Sequence, residues 1–185
     1  MEYHKDRFED HSLLLFKKEK LIGLFPANLR ENVLHSHQGL TFGSLIVPKN
    51  INAYEVFQLL ELVIEYAKNE GFKEIYVKTI PQIYYEKAAD ELLYFLTIKG
   101  KLQSRNLVLA IDYNQEFKIH KTKRKHYEKN YSLGFEIEEN GSLSEFWNEV
   151  LAPKLDEKYS VKPVHSLAEI TKLQANFPSK IIQYN

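Results

Sequence analysis

The stretch HSHQGLTFGS, residues 35–44, holds the densest group of side chains that could do chemistry in this sequence. His35 and His37 stand two residues apart, so on an extended segment both imidazoles would face one side and could share a metal ion. A catalytic zinc site needs three protein ligands, and no third ligand follows at a recognised spacing. The competing interpretation is a loop of small polar residues that organises the entry to a strand, since Ser, Thr and Gly are favoured there for backbone reasons.

A third interpretation treats this stretch as a loop that faces a substrate. Folds of the α/β class bind ligands at the carboxyl ends of their strands, where a crossover helix follows. Ser44 and the turn PKN lie near that end of the expected strand LTFGSLIV. The candidate substrate-binding residues are Ser36, His37 and Thr41, around the entry to this strand, and Tyr84, which lies in the joint between a later strand and helix, IPQIYYEKAADELLY. The two histidines precede the apolar run LTFGSLIV, and this order weakens them as catalysts if that run is the strand.

Motifs for nucleophilic or nucleotide chemistry are weak in this chain. A Ser/His/Asp triad can be assembled from Ser36 or Ser44, a histidine, and Asp90 or Asp112, but no G-x-S-x-G elbow supports it. Neither a P-loop nor a G-x-G-x-x-G fingerprint is present. Cysteine is absent, which removes disulfides, thiolate catalysis and zinc sites built on sulfur. No residue is singled out as catalytic.

The most charged segment is HKTKRKHYEKNY, residues 120–131, which has the composition of a basic helix. On a helix, Lys121, Lys125 and Lys129 form one i, i+4 row with Arg124 beside it, and like charges at that spacing repel by about 0.2–0.5 kcal/mol per pair. A phosphate-bearing ligand or RNA would explain why the row exists. A solvated helix face, balanced by the acidic run EIEEN downstream, explains it equally well.

Bulk composition bounds the class of protein. The chain has 185 residues, no formal net charge and 44% hydrophobic residues, which is typical of a globular protein and not of a disordered one. A neutral balance argues against strong nonspecific binding to nucleic acid or to an anionic membrane, although it allows a local charged patch. The charged start MEYHKDRFEDHS does not resemble a signal peptide, and no apolar run is long enough to span a bilayer. We therefore expect a soluble, cytoplasmic protein without membrane insertion.

The elements that must position these residues alternate between strands and helices. A hairpin, SLLLFKKEKLIGLFPANL, precedes the expected strand LTFGSLIV, and Asn52 and Glu55 then have the spacing of a capping box at the start of a long amphipathic helix. The strand KEIYVKTI completes a βαβ unit, which implies a parallel strand pair. A second helix, about Tyr85 to Ile98, leads to a further expected strand, LQSRNLVLAIDY.

We expect the rest of the chain to be mainly helical, in contrast to the alternating strands and helices before it. After the basic helix we expect a short strand, GFEIEE, a helix bent or broken before Pro153, a capped helix, SLAEITKLQANF, and a strand-like end, KIIQYN. A strand at the last residues needs a neighbour to pair with. The ending therefore predicts pairing with another chain, in a homodimer, or a place inside a larger fold.

Several stretches of the chain resemble the GNAT acyltransferase superfamily, and in particular its FemAB-like members. These are YHKDRFEDHSLLLF, SHQGLTFGSLIV, IPQIYYEKAADELLYFL, and the basic helix that leads into LGFEIEE. The last is similar to the Lys/Arg-rich helix before a Gly-Val-type strand in peptidoglycan-bridge aminoacyltransferases. The resemblance implies an α/β fold with a mixed, partly parallel central sheet flanked by helices. It also implies a first GNAT-like half over residues 1–115 and the lead into an incomplete second half over residues 116–185.

The same resemblance implies a reaction class. FemAB-like enzymes are acyl- or aminoacyltransferases that act on an amine acceptor, a small molecule or a peptide, and some of them act on cell-envelope precursors. The donor would be aminoacyl-tRNA or acyl-CoA, with tRNA as a partner. Lys121, Arg124, Lys125 and Lys129 would then contact its phosphates.

One departure from the family pattern bears on the donor. Ordinary GNAT acetyltransferases hold the CoA pyrophosphate on a Gly-rich loop whose free amides open a helix. The corresponding stretch here, VPKNINAYEV, has no glycine and contains a proline, so tRNA or another phosphorylated carrier fits better than acetyl-CoA. Two alternatives stay open: an acetyl-CoA-dependent N-acetyltransferase of a small amine with its CoA site elsewhere, and a noncatalytic half-domain that dimerises or acts as a scaffold.

Overall fold

The computed structural model describes residues 6–116 and 118–185 and divides into two compact units, Met1–Ala110 and Ile111–Asn185. The first unit combines short strands with two helices, and its main sheet contains both parallel and antiparallel pairs. The predicted α/β class with a mixed, partly parallel sheet is confirmed. The strands are β1 (Glu9–Asp10), β2 (Leu13–Lys17), β3 (Lys20–Phe25), β4 (Asn28–Arg30), β5 (Val33–His35) and β6 (Glu74–Tyr76).

The main sheet has the strand order β1–β4–β5–β6. β4 is antiparallel to both β1 and β5, whereas β5 and β6 are parallel, with His35 opposite Tyr76. The predicted hairpin is confirmed as a separate two-stranded sheet, in which β2 pairs with β3. β3 ends at Phe25, because Pro26 cannot donate a ladder hydrogen bond.

Helix α1 (Ala53–Asn69) connects the parallel pair and supplies much of the core. Its buried stripe, spaced as on one helix face, is Val56, Leu59, Leu60, Val63 and Ala67. Each large apolar side chain buried in this way contributes about 1.5–3 kcal/mol. The predicted capping box is confirmed, since the Asn52 side chain accepts from the Glu55 amide at 2.9 Å. Helix α2 (Glu91–Lys99) packs on α1 through the buried ring of Phe95 and ends at Gly100, as predicted.

Three strand or helix assignments in this unit are wrong. Residues 41–45 of the expected strand LTFGSLIV are irregular, and its Ile46 forms a single bridge to Leu24. The strand that pairs in parallel with β6 is instead β5, eleven residues earlier than Ile46. Residues 102–113, the expected strand LQSRNLVLAIDY, are exposed and form no regular strand, since no described strand pairs with them. Helix α2 begins six residues after Tyr85.

The second unit is mainly helical. Its basic helix is confirmed as α3 (Lys121–Ser132), and α4 (Leu143–Glu145), α5 (Ala152–Tyr159) and α6 (Leu167–Asn176) follow. The α6 capping box of Ser166 and Glu169 is also confirmed. None of the described helices in either unit has the length and apolar character that crossing a membrane requires.

The predicted disturbance before Pro153 is confirmed in a specific form. Residues Phe146–Leu151 form a wide π-helical turn, in which the amide of Ala152 donates to the carbonyl of Trp147, five residues back. Pro153 has no N–H and its ring would collide with the carbonyl four residues earlier in a regular helix. The wider turn relieves both problems.

The terminal residues of the chain find a neighbour within the second unit. The amide of Glu138 donates to the carbonyl of Asn185 at 3.0 Å, the Asn185 amide donates back at 3.0 Å, and Asn140 donates to Gln183 at 2.6 Å. Both partners are irregular apart from the bridge between Glu139 and Tyr184, so GFEIEE is not a regular strand. The homodimer through this end stays a prediction.

Candidate functional site

The parallel pair β5–β6 determines where the predicted substrate-binding residues lie. Carboxyl ends of parallel strands meet at one edge of a sheet, and the segments after β5 and β6 both begin there. Ser36, His37 and Thr41 follow β5, and Tyr84 follows β6. His37, which was expected to precede the strand LTFGSLIV, therefore follows the strand β5 instead. We call the segments 36–50 and 77–86 together the carboxyl edge.

Ser36 binds the two segments of this edge together. Its side chain is only 3% exposed, its hydroxyl accepts a hydrogen bond from the Lys78 amide at 2.8 Å, and its own amide donates to the Tyr76 carbonyl at 2.8 Å. The Gly43 amide donates to the Lys78 carbonyl at 2.8 Å, which folds the loop back over the same strand extension. These contacts give Ser36 a structural role that continues the parallel ladder.

His37 lies at the bend of the loop and is 1% exposed. Its backbone has a φ of 55°, in the left-handed region, and its Nδ1 accepts from the Gly39 amide at 3.2 Å. The ring meets Phe8 edge-on, with 5.7 Å between ring centroids. An imidazole held inside the loop in this way orders the backbone around it.

Thr41 and Tyr84 are the exposed members of the predicted set. Thr41 lies on the surface, and Tyr84 is 64% exposed. The ring of Phe42 lies 6.2 Å from that of Tyr84, so the structure brings the Thr41 loop to the Tyr84 turn. The Nζ of Lys49 contacts the Glu86 carboxylate at 2.6 Å across the same edge. The outer part of the carboxyl edge is thus polar and accessible, with hydroxyl groups and one ion pair.

His35, the last residue of β5, does not join His37 in a metal site. Its ring lies against Tyr76, 5.8 Å between centroids, on the strand itself. Burial lowers the pKa of His35, and repulsion by Arg30 lowers it further, which favours the neutral imidazole. In the part of the chain that the structure describes, no three His, Asp or Glu side chains gather closely enough to hold one metal ion.

The predicted phosphate-binding residues lie together on α3, which has no buried residue. Lys121, Lys125 and Lys129 follow one another at i, i+4, and no described carboxylate lies within 4.0 Å of any of them. Arg124 differs, because its Nε contacts the Glu128 carboxylate at 3.1 Å. The row of three lysines is therefore the part of the predicted set whose charge is open to a ligand.

The start of α1 is where a conventional acetyl donor would be expected to place its pyrophosphate. Here the Glu55 amide is used by the Asn52 side chain, and the Glu55 carboxylate accepts from the Asn52 Nδ2 at 3.0 Å and from the Lys17 Nζ at 2.6 Å. The Lys17 hydrogen bond, the largest cause, and a hydrogen bond from the Asn52 backbone amide lower the pKa of the Glu55 carboxyl. The Asn52 side chain and the Lys17–Glu55 pair thus occupy the helix end where a diphosphate would have to reach free amides.

Two features of the carboxyl edge were missed from the sequence. Asn28 is buried in β4. Its Oδ1 accepts from the Gln38 backbone amide at 2.6 Å, and its Nδ2 donates to the Gln38 Oε1 at 3.0 Å. A Cβ at Gly43 would lie 2.1 Å from the Ser36 carbonyl oxygen, so this position has room for glycine alone. No sequence pattern marks either contact, since both join residues brought together by the loop. From the sequence alone, Gly43 could be interpreted only as a residue that favours a turn.

No family model matches the chain, and neither a curated protein nor a solved structure is significantly similar to it.

Proposed function

We propose that the protein is an acyl- or aminoacyltransferase of the FemAB-like type, which takes its acyl group from a phosphate-bearing carrier held on α3. The observation that carries the proposal is the exposed row of Lys121, Lys125 and Lys129, three cations without a described carboxylate partner. Like charges at this spacing repel one another, and a bound polyanion removes that cost. The resemblance of the basic helix to that of the peptidoglycan-bridge aminoacyltransferases supplies the reaction class.

The reaction is the attack of an acceptor amine on an activated ester. The nitrogen forms an amide bond with the acyl carbon, the ester C–O bond breaks, and the carrier leaves as an alcohol that takes up the amine proton. An enzyme accelerates such a step chiefly by holding the reactants together and stabilising the developing oxyanion. The exposed hydroxyls of Thr41 and Tyr84 are the acceptor-side candidates, and Ser36 and His37 hold the loop that carries Thr41.

Acetyl-CoA is disfavoured as the donor because the stretch before α1 has no glycine and the Glu55 amide at the start of α1 is capped by the Asn52 side chain. Calorimetry with acetyl-CoA separates the two donors. We expect no heat of binding at millimolar ligand, whereas saturable binding would support the conventional N-acetyltransferase instead. The donor that we expect to bind is aminoacyl-tRNA or another phosphorylated carrier.

The decisive experiment measures binding of fluorescently labelled tRNA as a function of salt. Replacing Lys121, Lys125 and Lys129 by Glu should weaken binding, and should reduce the slope of log K against log salt by about 2 to 3. The matched control replaces Lys162, Lys172 and Lys180, which are exposed in the same unit, by Glu and leaves the same net charge. Equal binding by the two triple variants would remove the phosphate-binding role from α3.

A transfer assay then tests the chemistry. Radiolabelled aminoacyl-tRNA is incubated with the protein and a lysine-containing peptide, and the amide product is separated from the free amino acid. Hydrolysis no faster than without the protein, with no amide formed despite tRNA binding, would leave a noncatalytic binding domain. That scaffold alternative also predicts self-association through the terminal segment, which sedimentation would detect as a dimer.

A further inference from the structure

A groove between the β2–β3 hairpin and α1 lies outside the segments that the proposed function uses. It has a volume of about 400 Å³ and is lined by Phe16, Lys17, Ile22, Glu55, Gln58, Leu59, Glu61, Leu62 and Glu65. Its lining combines an apolar floor with acidic side chains from successive turns of α1. We propose that this groove, together with the free edge of β2, binds an extended peptide with alternating apolar and cationic side chains.

The first observation is the open edge of β2. The hairpin sheet has the two strands β2 and β3, and no described strand pairs with the other side of β2. Along that side, alternate residues direct unpaired N–H and C=O groups outward. Natural proteins usually blunt a free edge with charge, proline or a covering element. This edge reads LLLFK, carries one charge at its end, and has a register irregularity between Leu15 and Phe16 in its pairing with β3.

The second observation is the apolar surface beside the edge. Leu14 is 57% exposed and Phe16 is 53% exposed, although both belong to the strand itself. Across the groove, Leu62 of α1 is 48% exposed. A strand added to β2 would place alternate side chains on its two faces. Cations on the α1 face would lie beside Glu61 and Glu65, and the apolar side chains between them would cover Leu14, which alternates with the core-packed Leu13 and Leu15.

The third observation is the negative charge of the groove, which favours a cationic partner. Glu61 and Glu65 line the groove one helical turn apart, and no described cation lies within 4.0 Å of either carboxylate. Glu55 forms an ion pair with Lys17 at one end of the groove. The carboxylates without a described cation partner, Glu61 and Glu65, therefore lie towards the other end. Residues one turn apart on a helix are about 5–6 Å apart at Cβ, close to the roughly 6.6 Å between alternate residues of a strand. A peptide with cations at i and i+2 therefore matches the two carboxylates.

The same charges disfavour a second copy of this chain as the occupant. Antiparallel pairing of two β2 edges brings both α1 helices to one face of the joined sheet. That arrangement would add another Glu61–Glu65 pair to a face that is already acidic, and like charges across an interface are repulsive. The occupant is consequently a cationic peptide segment of another molecule.

The test uses a fluorescein-labelled decapeptide of alternating lysine and valine, followed by fluorescence anisotropy at low ionic strength. We expect saturable binding that salt weakens, and no binding of the matching glutamate and valine peptide. Glu61→Lys combined with Glu65→Lys should weaken binding by about tenfold. The control Glu70→Lys combined with Glu74→Lys has the same charge change outside the groove and should keep the affinity of the natural protein.

A second probe separates strand addition from binding by charge alone. The same peptide with N-methyl groups on alternate residues keeps its lysines but cannot donate to β2, and we expect about tenfold weaker binding. Equal affinity of the methylated and unmethylated peptides, or of the groove and control variants, would overturn the proposal. A dimer in sedimentation that Phe16→Lys dissolves would also overturn it, in favour of pairing between two copies. Circular dichroism shows whether each variant is folded.

Discussion

The hydroxyl of Ser36 accepts a hydrogen bond from the backbone amide of Lys78, 42 residues later, at 2.8 Å. This bond extends the parallel pairing of β5 and β6 by a side chain after the regular strands have ended. It makes the carboxyl edge a single structure and not two independent loops. The residue that the sequence offered as a substrate ligand is thereby the residue that holds the edge together.

Ser36→Ala should lower the free energy of unfolding by about 1–3 kcal/mol, because the Lys78 amide would lose its acceptor in a partly buried position. Urea denaturation measures the change. The control is Ser104→Ala, an exposed position, where we expect a change within about 0.5 kcal/mol. Loss of amide-forming activity in Ser36→Ala at unchanged stability would contradict the structural role.

Gly43→Ala should destabilise the protein more strongly, by about 3 kcal/mol, because the new methyl group would overlap the Ser36 carbonyl oxygen. Gly71→Ala is the comparison, since its Cβ meets nothing within 4 Å but its φ is 73°. Strain alone at that position costs about 1–2 kcal/mol. Both values come from urea denaturation, and a smaller loss at Gly43 than at Gly71 would show that the loop does not approach Ser36 so closely.

Glu55→Gln should make stability less dependent on pH in the acid range. The pKa of Glu55 is lowered in the folded protein, first by the Lys17 hydrogen bond and then by the Asn52 amide. Its contribution is therefore present above the ordinary value of 4.5 and is lost as the pH falls through the lowered pKa. Thermal unfolding of the two proteins should differ most above pH 4.5 and converge at lower pH. Glu19→Gln, in the exposed hairpin turn, should leave the profile unchanged.

Pro153→Ala should convert the π-helical turn to a regular α-helix. The new amide can donate to the Glu149 carbonyl, and no proline ring opposes a regular helix there. Alanine also gives the unfolded chain more freedom, which offsets part of this gain. We expect the folded protein to be stabilised by about 1 kcal/mol in total. Amide hydrogen exchange over residues 146–151 should slow. Pro163→Ala, in the loop before α6, should produce no such protection. Unchanged exchange in Pro153→Ala would mean that proline is not the cause of the wide turn.

At the carboxyl edge, the sequence predicted which segments come together but not which of their side chains are buried. The sequence predicts that Ser36, His37, Thr41 and Tyr84 face a substrate, and the structure brings their segments to the parallel pair β5–β6. The pattern could not tell which side chains would be buried, because burial of Ser36 and His37 depends on how residues 36–43 fold over Lys78. A hydroxyl in a loop has the same appearance in the sequence whether it meets solvent or a backbone amide.

The sequence by itself determined the features whose causes are local. The hairpin around Lys17–Lys20, the capping boxes that begin α1 and α6, the basic helix α3, and the disturbance before Pro153 each depend on residues a few positions apart. A helix makes its backbone hydrogen bonds within itself, so periodicity and capping suffice to predict it.

Only the tertiary structure decided which extended segments became strands. A strand needs a partner from elsewhere in the chain. Residues 33–35 obtained one from β6, whereas the longer runs 40–47 and 102–113 did not form regular strands. The free edge of β2 beside the acidic groove was decided in the same way, by the absence of a described neighbour. Pairing between distant segments is a property of the folded chain, because each candidate strand competes with all others for the same edges.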